Sequence, residues 1–262
     1  MQPAADYYQF EDLNSAVLRL FRDARSEGKF GAVLDLGCGR ARLGFEIERL
    51  GFRVTGVDGN AAACATARTR ISEVIEIDLS QMQRLAEALQ GRQFDWLLTA
   101  DVLEHMADPA GALSSYRDFL NAQGRLIVSL PNVAVWDNRL RLFFGRFDYT
   151  ASGVLDRTHL RFFTFRTARQ LVIDAGFMPL RTEWEPGIAR AFLPLIKRGL
   201  AAENHKPDAI LESRSYRFYS RYFAPVEHFV SGLAPGLLAF RVVIEAGIKD
   251  CAAELSNHRI QS

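Results

Sequence analysis

Apolar residues along the chain follow two alternating periods. Residues 11–27 carry Leu13, Val17, Leu20 and Phe21 at three- and four-residue intervals, the spacing of an amphipathic helix. From Ala32 onward, short apolar runs alternate with helical stretches. Strands are expected at Ala32–Leu36, Phe52–Val57, 73–77, 94–99, 124–130, Met178–Glu183 and Leu237–Glu245. The helix after the first strand runs to about Leu50, with Gly51 as its stop. Asp108-Pro109 reads as an N-cap followed by proline at the first helical position, opening a helix through Leu120. Another helix is expected over Thr167–Ala175, closed by Gly176. Strands and helices in alternation predict an α/β architecture, a parallel sheet with both faces covered.

Two stretches break the pattern. Residues 131–165 are rich in arginine and aromatic side chains. Residues 186–236 separate the last two strands by far more than an ordinary connection and contain IARAFLPLIKRGL and RSYRFYSRYFAPVEHF. The second stretch suits a substrate lid, a dimer surface or a membrane-interface contact. Packing against the core is the plain alternative.

Composition narrows the field without deciding it. The chain has 262 residues, is 48% hydrophobic and carries a net charge of +1, so it can bury a sizeable core but offers no global field to draw nucleic acid. Cys38, Cys64 and Cys251 are widely spaced, with no Cys-x-x-Cys. They read as reduced thiols of a cytoplasmic protein rather than a zinc site or disulfide framework. The first residues contain acids and no apolar core, unlike a secretory leader. No stretch is long and uncharged enough to span a bilayer, which leaves a peripheral membrane contact as the alternative to a purely cytoplasmic location.

The chemistry concentrates at the first strand's end, VLDLGCGRA. Gly37 and Gly39 permit a tight turn and let a ligand approach bare backbone. A dinucleotide loop would need a third glycine where Arg42 stands. Asp35 would repel a pyrophosphate, and Gly-Lys-Ser/Thr is absent. S-adenosylmethionine has no phosphate and carries two cationic centres, which suits Asp35. Asp58, at the end of the second strand, is placed for a ribose diol.

These motifs resemble those of class I S-adenosylmethionine-dependent methyltransferases over residues 30–185, closest to the ubiquinone-biosynthesis O-methyltransferase branch and to relatives associated with glycan or natural-product biosynthesis. VLDLGCGRA, VTGVDGN, VIEIDLS, FDWLLTADVLEHMADP and GRLIVSLPN match the family's successive motifs in register. Ala41 departs where many members have glycine. The resemblance implies a doubly wound, seven-stranded, mostly parallel Rossmann-like sheet, with the last strand antiparallel between the fifth and sixth. It implies cofactor contacts from Asp35, Gly37, Cys38, Gly39, Asp58, Gly59, Asp78, Leu79 and Ala100. It divides the chain into an N-terminal helical segment (1–30), a cofactor-binding catalytic core (31–185), a helical insertion (186–236) and the last strand with the C-terminal tail (237–262).

Methyl transfer to a hydroxyl requires alignment and removal of one proton. His105 and His159 are the candidate catalytic residues. On a helical turn after the fourth strand, Asp101 would share a face with Glu104 or His105. In families that DVLEHM resembles, such acids and histidines hold magnesium beside the acceptor. The matching positions are Asp101, Glu104, His105 and His159, although Asp101 is shorter than the usual glutamate, so a divalent metal is allowed but not favoured. Arg139, Arg141, Arg146, Arg157 and Arg161 suit a phosphate or carboxylate on the acceptor. Trp136, Phe143, Phe144, Phe147 and Tyr149 suit stacking on a ring. The resulting expectation is O-methylation of a saccharide, glycolipid or natural-product hydroxyl by a monomer or homodimer. An N-methyltransferase acting on an amine and a non-catalytic cofactor-binding interaction protein are the rivals.

Overall fold

The computed structural model describes residues 13–188 and 219–249. Most of the 186–236 insertion, Cys251 and the first twelve residues lie outside the described residues. Seven strands form one sheet: β1 Ala32–Leu36, β2 Arg53–Asp58, β3 Glu73–Glu76, β4 Phe94–Ala100, β5 Leu120–Pro131, β6 Phe177–Pro186 and β7 Ala239–Ile248. Their order is β3-β2-β1-β4-β5-β7-β6. The first five pair in parallel, and β7 runs antiparallel between β5 and β6, as the resemblance implies.

The helices are α1 Ser15–Ser26, α2 Arg42–Arg49, α3 Ala61–Ala67, α4 Met82–Leu89, α5 Pro109–Tyr116, α6 Trp136–Phe143, α7 Phe165–Asp174, α8 Ala224–Leu233 and α9 Pro235–Leu238. They cover both faces of the sheet. Val17, Leu20 and Phe21 of α1 join Ile47 of α2 and Ala67 of α3 over one face, against Val33, Val54 and Leu98. Leu85 and Leu89 of α4, Leu113 of α5 and Leu171 of α7 cover the other, against Leu34, Leu97 and Val128. Strands buried on both faces explain why β1 and β4 read as near-continuous apolar runs.

Helix boundaries follow local chemistry. Asn14 caps α1 by accepting Val17 N–H, and Asp108 caps α5 by accepting Gly111 N–H with Pro109 in the first turn. The expected helix through Leu120 is shorter: α5 stops at Tyr116, a tight turn spans Arg117–Phe119, and Leu120 already pairs with Phe94. α7 starts two residues before the expected Thr167, because Thr164 and Thr167 cap each other reciprocally. Gly51 and Gly176 stand just past α2 and α7 at φ 98° and 84°, the left-handed geometry that ends helices.

Candidate active site

The carboxyl ends of β1, β2 and β4 meet at the point where strand order reverses, the crevice in which open α/β sheets bind ligands. Gly37 and Gly39 turn the chain out of β1 at φ 81° and 54°. A Cβ on Gly37 would collide with the Val102 side chain, so the loop after β4 lies directly against the loop after β1. The Asp58 carboxylate accepts Gly39 N–H at 2.9 Å and Asn60 N–H at 2.8 Å, joining the loops after β1 and β2. Gly59 faces Asp78, whose backbone a Cβ there would approach to 3.0 Å. Asp78 accepts Ser80 N–H and Oγ–H, which lowers its pKa. Leu79 and Ala100 are part-buried.

Asp35 is buried beneath this loop, 3% exposed. Burial first, and the nearby Asp58 second, push its carboxyl up to about 7. Burial and the surrounding acids also push the Cys38 thiol far up, so Cys38 serves the loop as a neutral packing group. Ala41 sits left-handed at φ 55°, where a Cβ costs on the order of 1 kcal/mol relative to glycine.

Beyond β4 the chain does not form the expected helical turn. Asp101 is left-handed at φ 57°, and a 3₁₀ turn follows at Leu103–His105. Glu104 points inward, 1% exposed, and among the described residues neither of its carboxyl oxygens has a hydrogen-bond partner. Its pKa is raised well above the carboxyl range by burial and then by Asp101. Ligand atoms of Glu104, His105 and His159 lie within 4.8 Å of one another. His159 Nε2 is 3.9 Å from Glu104 Oε1, and the two imidazoles meet edge to face at 4.9 Å. His105 Nδ1 lies 3.2 Å from Thr158 O and His159 Nδ1 lies 3.1 Å from Val154 O. A carbonyl partner assigns the proton to Nδ1 and the lone pair to Nε2 in each ring. Burial lowers both imidazole pKa values, with His105 a further cause at His159.

Asp101 does not join this group. A buried guanidinium, Arg241 on β7, takes its Oδ2 at 2.6 Å, and Ser129 Oγ donates to its Oδ1 at 3.2 Å. The helical spacing of Asp101 and Glu104 implied a shared face; the left-handed backbone at Asp101 separates them. Two of the arginines expected to bind an acceptor anion have structural duties. Arg161 donates to Ala107 O and Arg139 to Ala134 O. Arg146 pairs with Asp148.

The donor set of Glu104, His105 and His159 fits a divalent cation. It offers one buried carboxyl without partners and two imidazoles whose remote nitrogens are held by backbone carbonyls, as histidine ligands commonly are. An aromatic wall continues outward from His159 through Phe162 at 6.1 Å to Phe147 and Tyr149.

A family model described as a methyltransferase domain matches residues 5–182. The ubiquinone biosynthesis O-methyltransferase of Nitrosococcus oceani is 34% identical over 131 residues, 48% of this chain and 54% of that protein. The protein of that name from Azorhizobium caulinodans is 30% identical over 169 residues, 58% of this chain and 65% of that protein. The chain thus spans about half to two thirds of the length of these curated relatives. Among solved structures, a S-adenosylmethionine-dependent methyltransferase from Archaeoglobus fulgidus superposes with a TM-score of 0.52 at 16% identity, covering 87% of this chain and 93% of that one. Magnesium protoporphyrin IX methyltransferase from Synechocystis, with bound S-adenosylhomocysteine, gives 0.51 at 19%, covering 68% and 84%. The chain belongs to the methyltransferase-domain family, and its likeness to the solved S-adenosylmethionine-dependent methyltransferases is one of fold.

Proposed function

We propose that this enzyme methylates a hydroxyl oxygen, with His105 as general base and His159 and Glu104 orienting the acceptor. The observation that carries the reading is the convergence of these three side chains beside the loop that Val102 presses onto Gly37. The acceptor oxygen attacks the sulfonium methyl, the carbon–sulfur bond breaks, and sulfur leaves as a neutral thioether. The acceptor proton passes to the lone pair on His105 Nε2, whose lowered pKa keeps the ring neutral near pH 7. An amine acceptor would depend less on such a base. In this reading, Asp35 meets the cofactor's ammonium, Asp58 its ribose and Asp78 the adenine edge.

The acceptor is read as a ring-bearing hydroxyl with an apolar portion, a glycolipid or lipophilic natural product. Supporting this, Phe162 packs on His159, and Phe147 and Tyr149 pack in turn on Phe162. The exposed Leu140 and Phe143 of α6, with Phe144 just after it, follow β5 at the same sheet edge, and Val226, Phe229 and Leu233 of α8 precede β7 there. The same faces suit contact with a membrane surface.

One further observation favours a second reading of the same three residues. The orphaned Glu104 carboxyl would be satisfied by a divalent ion held with His105 and His159. Such an ion would lower the pKa of the acceptor hydroxyl.

The test is methyl transfer from labelled S-adenosylmethionine to a panel of catechols, alkyl phenols and alkyl glycosides. His105→Ala is expected to lower kcat by about 10²- to 10⁴-fold with cofactor affinity retained. Full activity of that variant, or transfer to amines alone, would overturn hydroxyl methylation. Chelation followed by magnesium or manganese distinguishes the two readings: loss and recovery support the ion, and indifference supports imidazole acting alone.

A further inference from the structure

A buried polar network reaches the site from the far end of the sequence. Arg241, 7% exposed on β7, binds Asp101 with one terminal nitrogen and Glu185 of β6 with the other. Glu185, 5% exposed, also accepts the backbone N–H of Ser15 at the start of α1. On the other side of Asp101, Ser129 of β5 donates to it and accepts from Asn14, the α1 cap, at 2.8 Å. Two routes therefore connect Asp101 to the first turn of α1, one through Arg241 and Glu185, the other through Ser129.

Asp101 occupies the join between the two halves of the site. Its neighbour Val102 packs on Gly37 of the cofactor loop, and three residues later the chain delivers Glu104 and His105. Asp101 is a non-glycine residue held at φ 57°. Such a conformation is unfavourable and persists only where surrounding contacts over-determine it. The contacts here are the guanidinium and the serine hydroxyl on the side chain, and the Asp101 N–H, which donates to Ser129 O at 3.0 Å, on the backbone. An ion pair of this kind is weak grounds for stability, but the rigid fork of a guanidinium sets the direction of the carboxylates it binds.

We infer that Arg241 is a positioning residue: with Ser129, it holds Asp101 in the left-handed turn that sets Glu104 and His105 against the cofactor loop, and it makes that arrangement depend on docking of α1. The inference rests on the proposed role of His105. Arg241 touches neither cofactor nor acceptor in it. α1 thereby does more than cover the sheet, because its cap and first amide are the outer anchors of the active-site turn.

The test compares wild type, Arg241→Met, Arg241→Lys and Ser129→Ala. Each is crystallised with S-adenosylhomocysteine and assayed with the panel acceptor that wild type methylates. Arg241→Met is expected to release Asp101 from positive φ and to lower kcat about 100-fold, the scale of a misplaced reacting group, with the KM for S-adenosylmethionine within threefold of wild type. Arg241→Lys restores one ion pair and is expected to recover most of the rate. Ser129→Ala, which leaves both charges in place, is expected to lose less than tenfold. Asp101 unmoved in the Arg241→Met crystal, or Arg241→Met and Arg241→Lys equally impaired, overturns the inference. If Arg241→Met fails to fold, Arg241→Gln takes its place under the same two criteria: an unmoved Asp101, or a kcat no lower than that of Arg241→Lys, overturns the inference. Failure of the hydroxyl reading appears separately, as an unimpaired His105→Ala.

Discussion

Asp35 shows how much one side chain can report. An ordinary aspartic carboxyl titrates at 3.8, and here burial raises it to about 7. In the empty protein, the folded state therefore holds a proton that the unfolded chain has lost between those values. Stability from this group falls as pH rises through that window and is level above it. A cofactor ammonium against Asp35 favours the ionised carboxylate and reverses the bias. Binding of S-adenosylhomocysteine is expected to release close to one proton at pH 5.5 and almost none at pH 8.5. Affinity should rise with pH up to about 7 and then level off. Titration calorimetry in buffers of differing ionisation enthalpy measures both, and Asp35→Asn should abolish the pH dependence. The place of Asp35 near the end of β1 was readable from sequence, because an apolar run leads straight into Gly-x-Gly. The cost of Ala41 was not readable: its small side chain suggests tolerance, whereas only the backbone angle shows why glycine is favoured there. Asp101 misled for a similar reason, since spacing rules assume helical torsions and its torsion is left-handed.

At the scale of elements, strands were more legible than helix ends. The expected bounds of β1 to β4 agree with the structure within a residue or so, and β1 is the clearest because a strand buried on both faces has few polar interruptions. β5 begins four residues earlier than its apolar run, since its opening residues Leu120–Gln123 bend from the α5 turn before regular pairing. The start of α7 was set by a threonine pair rather than by periodicity. Thr164→Ala removes one arm of that reciprocal cap and is expected to destabilise by about 1 kcal/mol. This corresponds to a fall in Tm of roughly 2–4 °C for a domain of this size, measured by thermal denaturation, with cofactor affinity unchanged. The 3₁₀ turn at Leu103–His105 has no comparable sequence signal. It is pinned from outside, by Leu160 and Arg161 amides donating to Glu104 O, so a segment more than fifty residues away fixes the site's local geometry.

For the whole molecule, the sheet order and the antiparallel seventh strand followed from the motif series. The long-range polar partners did not: nothing in one sequence couples Asn14, Ser129, Glu185 and Arg241, which only the sheet brings together. The aromatic and aliphatic exposure of α6 and α8 is likewise a property of the folded surface. No described helix is long and apolar enough to cross a membrane, yet both present Phe143, Phe144 and Phe229 outward. Sedimentation with vesicles containing anionic phospholipid is expected to carry down a substantial fraction of the protein. Replacing those three phenylalanines by serine should reduce it at least several-fold. Retention in the supernatant together with concentration-dependent self-association would assign the faces to a second copy instead.

The insertion of β7 between β5 and β6 also orders events in time. During synthesis, β1 to β6 emerge with a gap in the sheet and with Asp101 and Glu185 lacking their shared counter-charge. On the inferred role of Arg241, the turn that carries Glu104 and His105 is held only once β7 stands between β5 and β6. On that inference, slow pairing of this non-local strand would delay activity without altering a single residue that touches the reactants.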